Sequence, residues 1–120
     1  MTATDAVTTD AREIALRFID AFNIRDDAAL RTLVAEDAEF RTLGGTALRG
    51  HDGLAALLKA AEEHELRMVP LRPPEIEREG DAVRVIVPLR ELIGRDDIER
   101  RAEFEVRDGR IAGFAVRPFA

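Results

Sequence analysis

The chain has 120 residues, 46% hydrophobic and 35% charged, the balance of one soluble globular domain and too short for two. Asp and Glu number 24 against 18 Lys and Arg, and the net charge of −6 gives no general attraction to nucleic acid or to an anionic membrane. Cysteine is absent, which excludes disulfides, thiolate metal sites and a cysteine nucleophile. No apolar run reaches the ~18 residues of a membrane span. MTATDAVTTD lacks a basic n-region and an apolar h-region, so no secretory signal is read, and a cytoplasmic location is expected. No metal or cofactor is expected.

Residues 1–9 are small and polar and are expected to form a flexible tail, leaving 10–120 as a single domain. Asp10, three residues before Glu13, has capping-box spacing and predicts a helix that carries Ile14, Phe18, Ala21 and Phe22 on one face. Asp26 or Asp27 caps a shorter second helix with Leu30, Leu33 and Val34 as its stripe. Alternation over 38–42 predicts a strand with Phe40 and Thr42 on one side, Gly44-Gly45 a turn, and 46–49 a brief return. His51 or Asp52 is expected to cap a third helix with Leu54, Leu57, Leu58 and Ala61, ending near Glu62 and Glu63. Beyond Leu66 the period becomes two. Residues 66–71 are extended, and Pro70, Pro73 and Pro74 restrict them to an edge or a bulge. The strand over 81–92 sets Val83, Val85, Val87 and Leu89 against Arg84, Ile86 and Arg90. After the turn at 94–97, residues 98–107 set Ala102, Phe104 and Val106 against Arg101, Glu103 and Glu105. Asp108-Gly109 is a two-residue hairpin signal, and 111–118 form the last strand with Ala112, Phe114 and Val116 on one face. Helices followed by antiparallel strands give an α+β class, with the helices on one face of a curved sheet.

Three stretches carry a resemblance that spans nearly the whole chain: FIDAFNIRDDAALRTLVAEDAEF (18–40), RGHDGL (49–54) and VRDGRIAGFAV (106–116). In these the chain resembles the nuclear transport factor 2-like superfamily, in its SnoaL-like and ketosteroid-isomerase-like branch. The resemblance implies a cystatin-like α+β roll: a cone-shaped, mostly antiparallel sheet wrapped around three N-terminal helices, with a pocket in its mouth and homodimers common. It does not imply one activity, because the superfamily hosts isomerases, cyclases, hydrolases, binding domains and assembly modules.

Against the isomerase pattern, the tyrosine position falls on Phe18, the base position on Thr42 and the late-strand acid near Ala102, so all three roles are missing. A one- or two-residue slip brings in Glu39 or Glu103, yet a single-residue shift turns Phe40 or Phe104 outward. The acid that closes an epoxide-hydrolase relay would lie near Val116, where 110–120 hold no carboxylate. Arg95-Asp96-Asp97 reads as a polar turn. His51 is either a base at the pocket mouth or a neighbour of the helix N-cap, and without an orienting partner the second is favoured. His64, among Glu62, Glu63 and Glu65, reads as a solvated helix end rather than a metal ligand. The weak catalytic candidates are therefore Glu103, His51 and Glu39.

Inward-facing residues are nearly all apolar. Those expected to line a pocket or its supporting core are Phe18, Phe22, Leu33, Phe40, Thr42, Leu57, Met68, Val85, Val87, Leu89, Phe104, Val106, Phe114 and Val116. The expected function is a small-molecule-binding domain that takes an apolar ligand without a recognisable catalytic set. The alternatives are an isomerase- or cyclase-type enzyme with an atypical base, and a non-catalytic dimerisation module. Alternating Arg84, Arg90, Arg101, Glu103, Glu105 and Arg107 read as cross-strand ion pairs. A homodimer is expected through the outer sheet face at Ile86, Arg101, Glu103, Ile111, Gly113 and Ala115, an apolar centre in a charged rim.

Overall fold

The first helix contains neither Gly nor Pro, and nothing in its sequence breaks it upstream of Asp10. In the structure, a computed structural model that describes residues 3–41 and 46–118, α1 runs Ala3–Asn23. It takes in most of the segment expected as a tail, and Asp10 lies inside it rather than capping it. Asp26 does cap α2 (Asp27–Leu33), its carboxylate accepting from the Ala29 backbone N–H at 3.1 Å. The strands β1 (Val34–Arg41) and β2 (Ala47–Arg49) pair antiparallel before α3 (Gly50–Glu63). The expected Gly44-Gly45 turn and the Thr42 position lie outside the described residues.

Neither His51 nor Asp52 caps α3. Its N-cap is Arg49, with no side-chain cap bond, because the chain turns into the helix one residue early, at Gly50. Gly50 has φ +70, and a Cβ there would sit 2.9 Å from the Glu36 carbonyl oxygen, so glycine is required twice over. His51 serves the same junction, with its ring Nε2 3.3 Å from the Val34 carbonyl oxygen.

The remaining strands are β3 (Leu66–Pro70), β4 (Glu75–Glu79), β5 (Ala82–Ile93), β6 (Asp96–Arg107) and β7 (Arg110–Pro118). The sheet order is β2-β1-β7-β6-β5-β3, with β4 also on β5, and every pairing is antiparallel except β1 with β7. The short β4 was not anticipated. It and β3 share one edge of β5, and Pro73 and Pro74 lie in the gap between them, where no ladder donor is needed. Asp108 and Gly109 both take positive φ, 53° and 75°, as a tight primed hairpin turn demands.

Helices and sheet close over one core. Phe18 packs its ring on Phe22, Phe104 and Phe114, with centroids 6.0, 5.4 and 5.2 Å away. Phe40 joins through Phe114 at 6.4 Å. These offset and edge contacts add to what burial alone contributes.

Two outward assignments change. The ladder between β6 and β7 slips between Glu105 and Val106, so Phe104 faces Phe114 while Val106 faces Ile111. Ala112 is the extra residue of that bulge, and the bulge reverses parity: Ile111 turns into the core, fully buried, instead of outward. Ile86 does stand on the outer face but is only 5% exposed within one chain, flanked by Glu75 on β4 and Glu103 on β6. Two of the charges on that face pair across strands as expected, Arg90 with Asp97 at 3.0 Å and Arg84 with Glu77 at 3.7 Å. Arg107 instead pairs along its own strand, with Glu105 at 2.9 Å.

Candidate functional site

The deep part of the cone is filled, and its mouth is not. A cavity of about 480 Å³ lies there between the helix ends and the sheet, within the size range of small-molecule sites. Each wall follows from a periodicity. α1 contributes Phe22 from its apolar stripe, and α3 contributes Leu57, Ala60 and Ala61, with His64 at the C-cap. From the sheet come Leu66 and Met68 on β3, Ile93 and Glu91 on β5, and Phe114 and Val116 on β7, with Arg41 of β1 at the rim.

Polar contacts hold the wall between α1 and β3. Asn23 at the end of α1 donates to the Met68 carbonyl at 2.8 Å and accepts from the Met68 N–H at 2.8 Å, standing in for a neighbouring strand on that edge. Arg25 follows in the left-handed region at φ 59. Its guanidinium donates to the carbonyls of Phe22, Ala61 and Leu66 at 2.7, 3.0 and 2.6 Å, and so ties both helix C-termini to the start of β3. It also lies 5.2 Å over the Phe22 ring. The sequence shows Arg25 only as the end of a helix; its role appears once three chain segments meet.

Glu91 is the buried acid of the cavity. Its side chain is 7% exposed, and its nearest charged partner is Arg100, with Nε 3.9 Å from Oε1, too long for a hydrogen bond. Met68 on β3 and Ile98 on β6 are its cross-strand neighbours. Burial pushes the Glu91 carboxyl above the usual carboxylate value, and Arg100 opposes that shift without cancelling it. Arg100 Nε is itself buried with no hydrogen-bond partner. The signal for Glu91 is present in the sequence: it continues the 83, 85, 87, 89 parity of the inward face of β5.

The other candidates lie elsewhere. Glu39 is exposed and paired with Arg49 at 2.6 Å. Glu103 is on the outer face, held by Arg117 at 2.6 Å with Arg101 at 4.0 Å. His51 sits at the β1–α3 junction. The structure brings none of the three to the cavity. Of the residues expected around a pocket, Phe22, Leu57, Met68, Phe114 and Val116 line it. Phe18, Phe40, Val85, Val87, Leu89, Phe104 and Val106 are buried in the core behind it. Leu33 lines a separate shallow groove beside Ile24 and Ala29 between α1 and α2. Phe18 and Ala102, at two of the isomerase positions, are fully buried and apolar. A shallower depression on the outer face, about 170 Å³, is lined by arginines and acids, among them the Glu103–Arg117 pair. Among the described residues no group of three or more His, Asp or Glu is arranged to hold a metal ion, and no helix is long and apolar enough to cross a membrane.

Comparison with known proteins follows the same lines. No curated protein matches the chain. Among solved structures, a nuclear transport factor 2-like protein from Burkholderia xenovorans LB400 is 26% identical over 90% of this chain and 88% of its own, with a TM-score of 0.67. A hypothetical protein with a ketosteroid isomerase-like fold from Catenulispora acidiphila DSM 44928, solved with trimethylamine, is 16% identical over 87% of this chain and 83% of its own, at 0.66. An LEH-like epoxide hydrolase from M. tuberculosis is 23% identical over 90% and 81%, also at 0.66. The last two likenesses establish the shared fold and no more. The model of the SnoaL-like domain matches residues 15–114, from the first helix through the last strand, and the chain belongs to the SnoaL-like domain family.

Proposed function

We propose that this SnoaL-like domain binds a small, largely apolar molecule in the cavity at the mouth of its sheet. The observation that carries the reading is the lining: Phe22, Leu57, Met68, Ile93, Phe114 and Val116 surround a space in which Glu91 is the buried charge. An environment-sensitive apolar dye is expected to bind saturably to the folded protein. Leu57→Trp fills the space from α3 and is expected to abolish that binding while far-ultraviolet dichroism stays unchanged. Unchanged dye binding in a folded Leu57→Trp protein places the ligand elsewhere.

One observation favours a second reading. A carboxyl kept above its usual range in an apolar site is suited to general acid–base work. An isomerase- or cyclase-type activity would then rest on Glu91 and not on Glu39, His51 or Glu103. The oligomeric proposal is a second copy of this chain on the outer face. With Ile111 and Ile86 removed from the exposed set, it rests on half-buried Gly113 and Ala115 beside Arg101, Glu103 and Arg117. Sedimentation at micromolar concentration is expected to give twice the chain mass, and Ala115→Arg to give the monomer; a monomeric parent chain overturns it.

A further inference from the structure

We propose that the ligand carries a hydroxyl group, and that this hydroxyl donates to the Glu91 carboxylate. The inference rests on the binding reading above and adds the chemistry of the ligand's polar end. Glu91 is nine-tenths buried, lines the cavity and, among the described residues, makes no hydrogen bond; its charged contact there is the 3.9 Å approach of Arg100. Arg100 does not line the cavity and acts on the carboxylate as a nearby positive charge. A buried polar group left unpaired costs free energy, so an unpaired carboxylate facing a cavity marks a position that a donor completes.

Geometry and chemistry narrow what that is. An ionised carboxylate only accepts, so the ligand group that meets it must donate. A carbonyl or ether oxygen only accepts, and an ammonium would face Arg100 as a like charge. A hydroxyl donates without carrying a charge. The rest of the ligand must be apolar, because Met68 and Ile98 flank Glu91 and the neighbouring walls are Phe22, Leu66 and Val116.

The test uses three probes of one shape: tetralin, 2-tetralol and 2-tetralone, titrated into the full chain by calorimetry at pH 7. The expected result is that all three bind and that 2-tetralol binds about tenfold tighter than tetralin, with 2-tetralone gaining little; the figure reflects one hydrogen bond to a charged group, less the probe's own dehydration. Glu91→Leu is expected to close the gap between 2-tetralol and tetralin while tetralin binding persists. Glu91→Gln, which keeps the shape and an acceptor but removes the charge, is expected to narrow it to a few-fold. Tetralin binding with no advantage for 2-tetralol means that water alone fills the position, and it overturns the inference while the binding reading stands. A gap undiminished in Glu91→Gln, or 2-tetralone binding ahead of 2-tetralol, overturns it equally. Failure of all three probes to bind overturns the binding reading and this inference with it.

Discussion

Replacing Glu91 and Arg100 together by Leu should stabilise the empty protein at neutral pH. Ionised Glu91 has left water for a site where, among the described residues, no hydrogen bond is returned and Arg100 at 3.9 Å is the one counter-charge. Two effects compete: burial disfavours the charged form and Arg100 favours it. The direction of the shift decides between them. The carboxyl is pushed above its usual value, so desolvation outweighs the attraction. A carboxyl with a raised folded value adds stability when protonated and loses it as pH rises through that value. At pH 7 the charge is therefore a net burden. Exchange of both members of a buried pair for apolar groups commonly gains ~1–4 kcal/mol, whereas removing one alone leaves the other charge uncompensated. Arg100 is 22% exposed and so only partly desolvated, and a gain of about 1–2 kcal/mol is expected from the double replacement, near the low end of that range. For a domain of this length the gain raises Tm by roughly 3–8 °C. Urea melts of parent and variant from pH 8 down to pH 4 are the assay. The advantage of the double variant should shrink as pH falls through the folded value and level off below the ordinary carboxylate value of 4.5. A variant less stable than the parent by more than about 1 kcal/mol at pH 7 would refute the reasoning, as the size of the effect lies well outside melt error. So would an advantage that persists undiminished at pH 4.

Two further changes probe the frame around the cavity. Arg25→Ala removes three guanidinium–carbonyl bonds that join α1, α3 and β3, and should cost about 3 kcal/mol in a urea melt at roughly 1 kcal/mol each; the Glu62 contact is exposed and adds little. Gly50→Ala must hold a Cβ at φ +70 and 2.9 Å from a backbone oxygen, and should cost about 2 kcal/mol or more by the same assay.

The cone was legible because its inward faces keep strict periods. Phe18, Phe22, Val83, Val85, Val87, Leu89, Ala102, Phe104 and Val106 all follow one, and each is buried. Where period failed, assignment failed with it. The bulge at Ala112 adds one residue between Val106's partner and Phe104's partner, and no composition signal separates it from regular alternation, so Ile111 was placed outside. Ile86 reads as exposed because a sequence shows one strand at a time, whereas its cover comes from residues on flanking strands. The acid of the site illustrates a different limit. Glu39 and Glu103 drew attention because a familiar pattern places chemistry near them, and both are occupied by arginines on the far side of the sheet. Glu91 lay on the inward parity throughout, two residues after the alternate apolar run Val83, Val85, Val87 and Leu89. Arg25 and Asn23, which shape the wall, depend on meeting Leu66 and Met68 more than forty positions away.

The central claim is that a small molecule enters the cavity at the mouth of the cone. The most direct measurement is a methyl-resolved carbon–proton correlation spectrum of the full chain, recorded through a titration with 2-tetralol. Saturable shifts are predicted at the methyls of Leu57, Met68, Ile93 and Val116, which line the cavity, with smaller ones at Val83, which is buried outside its lining. Shifts confined to Ala115 on the outer sheet face, or none at all at saturating probe, would contradict the account.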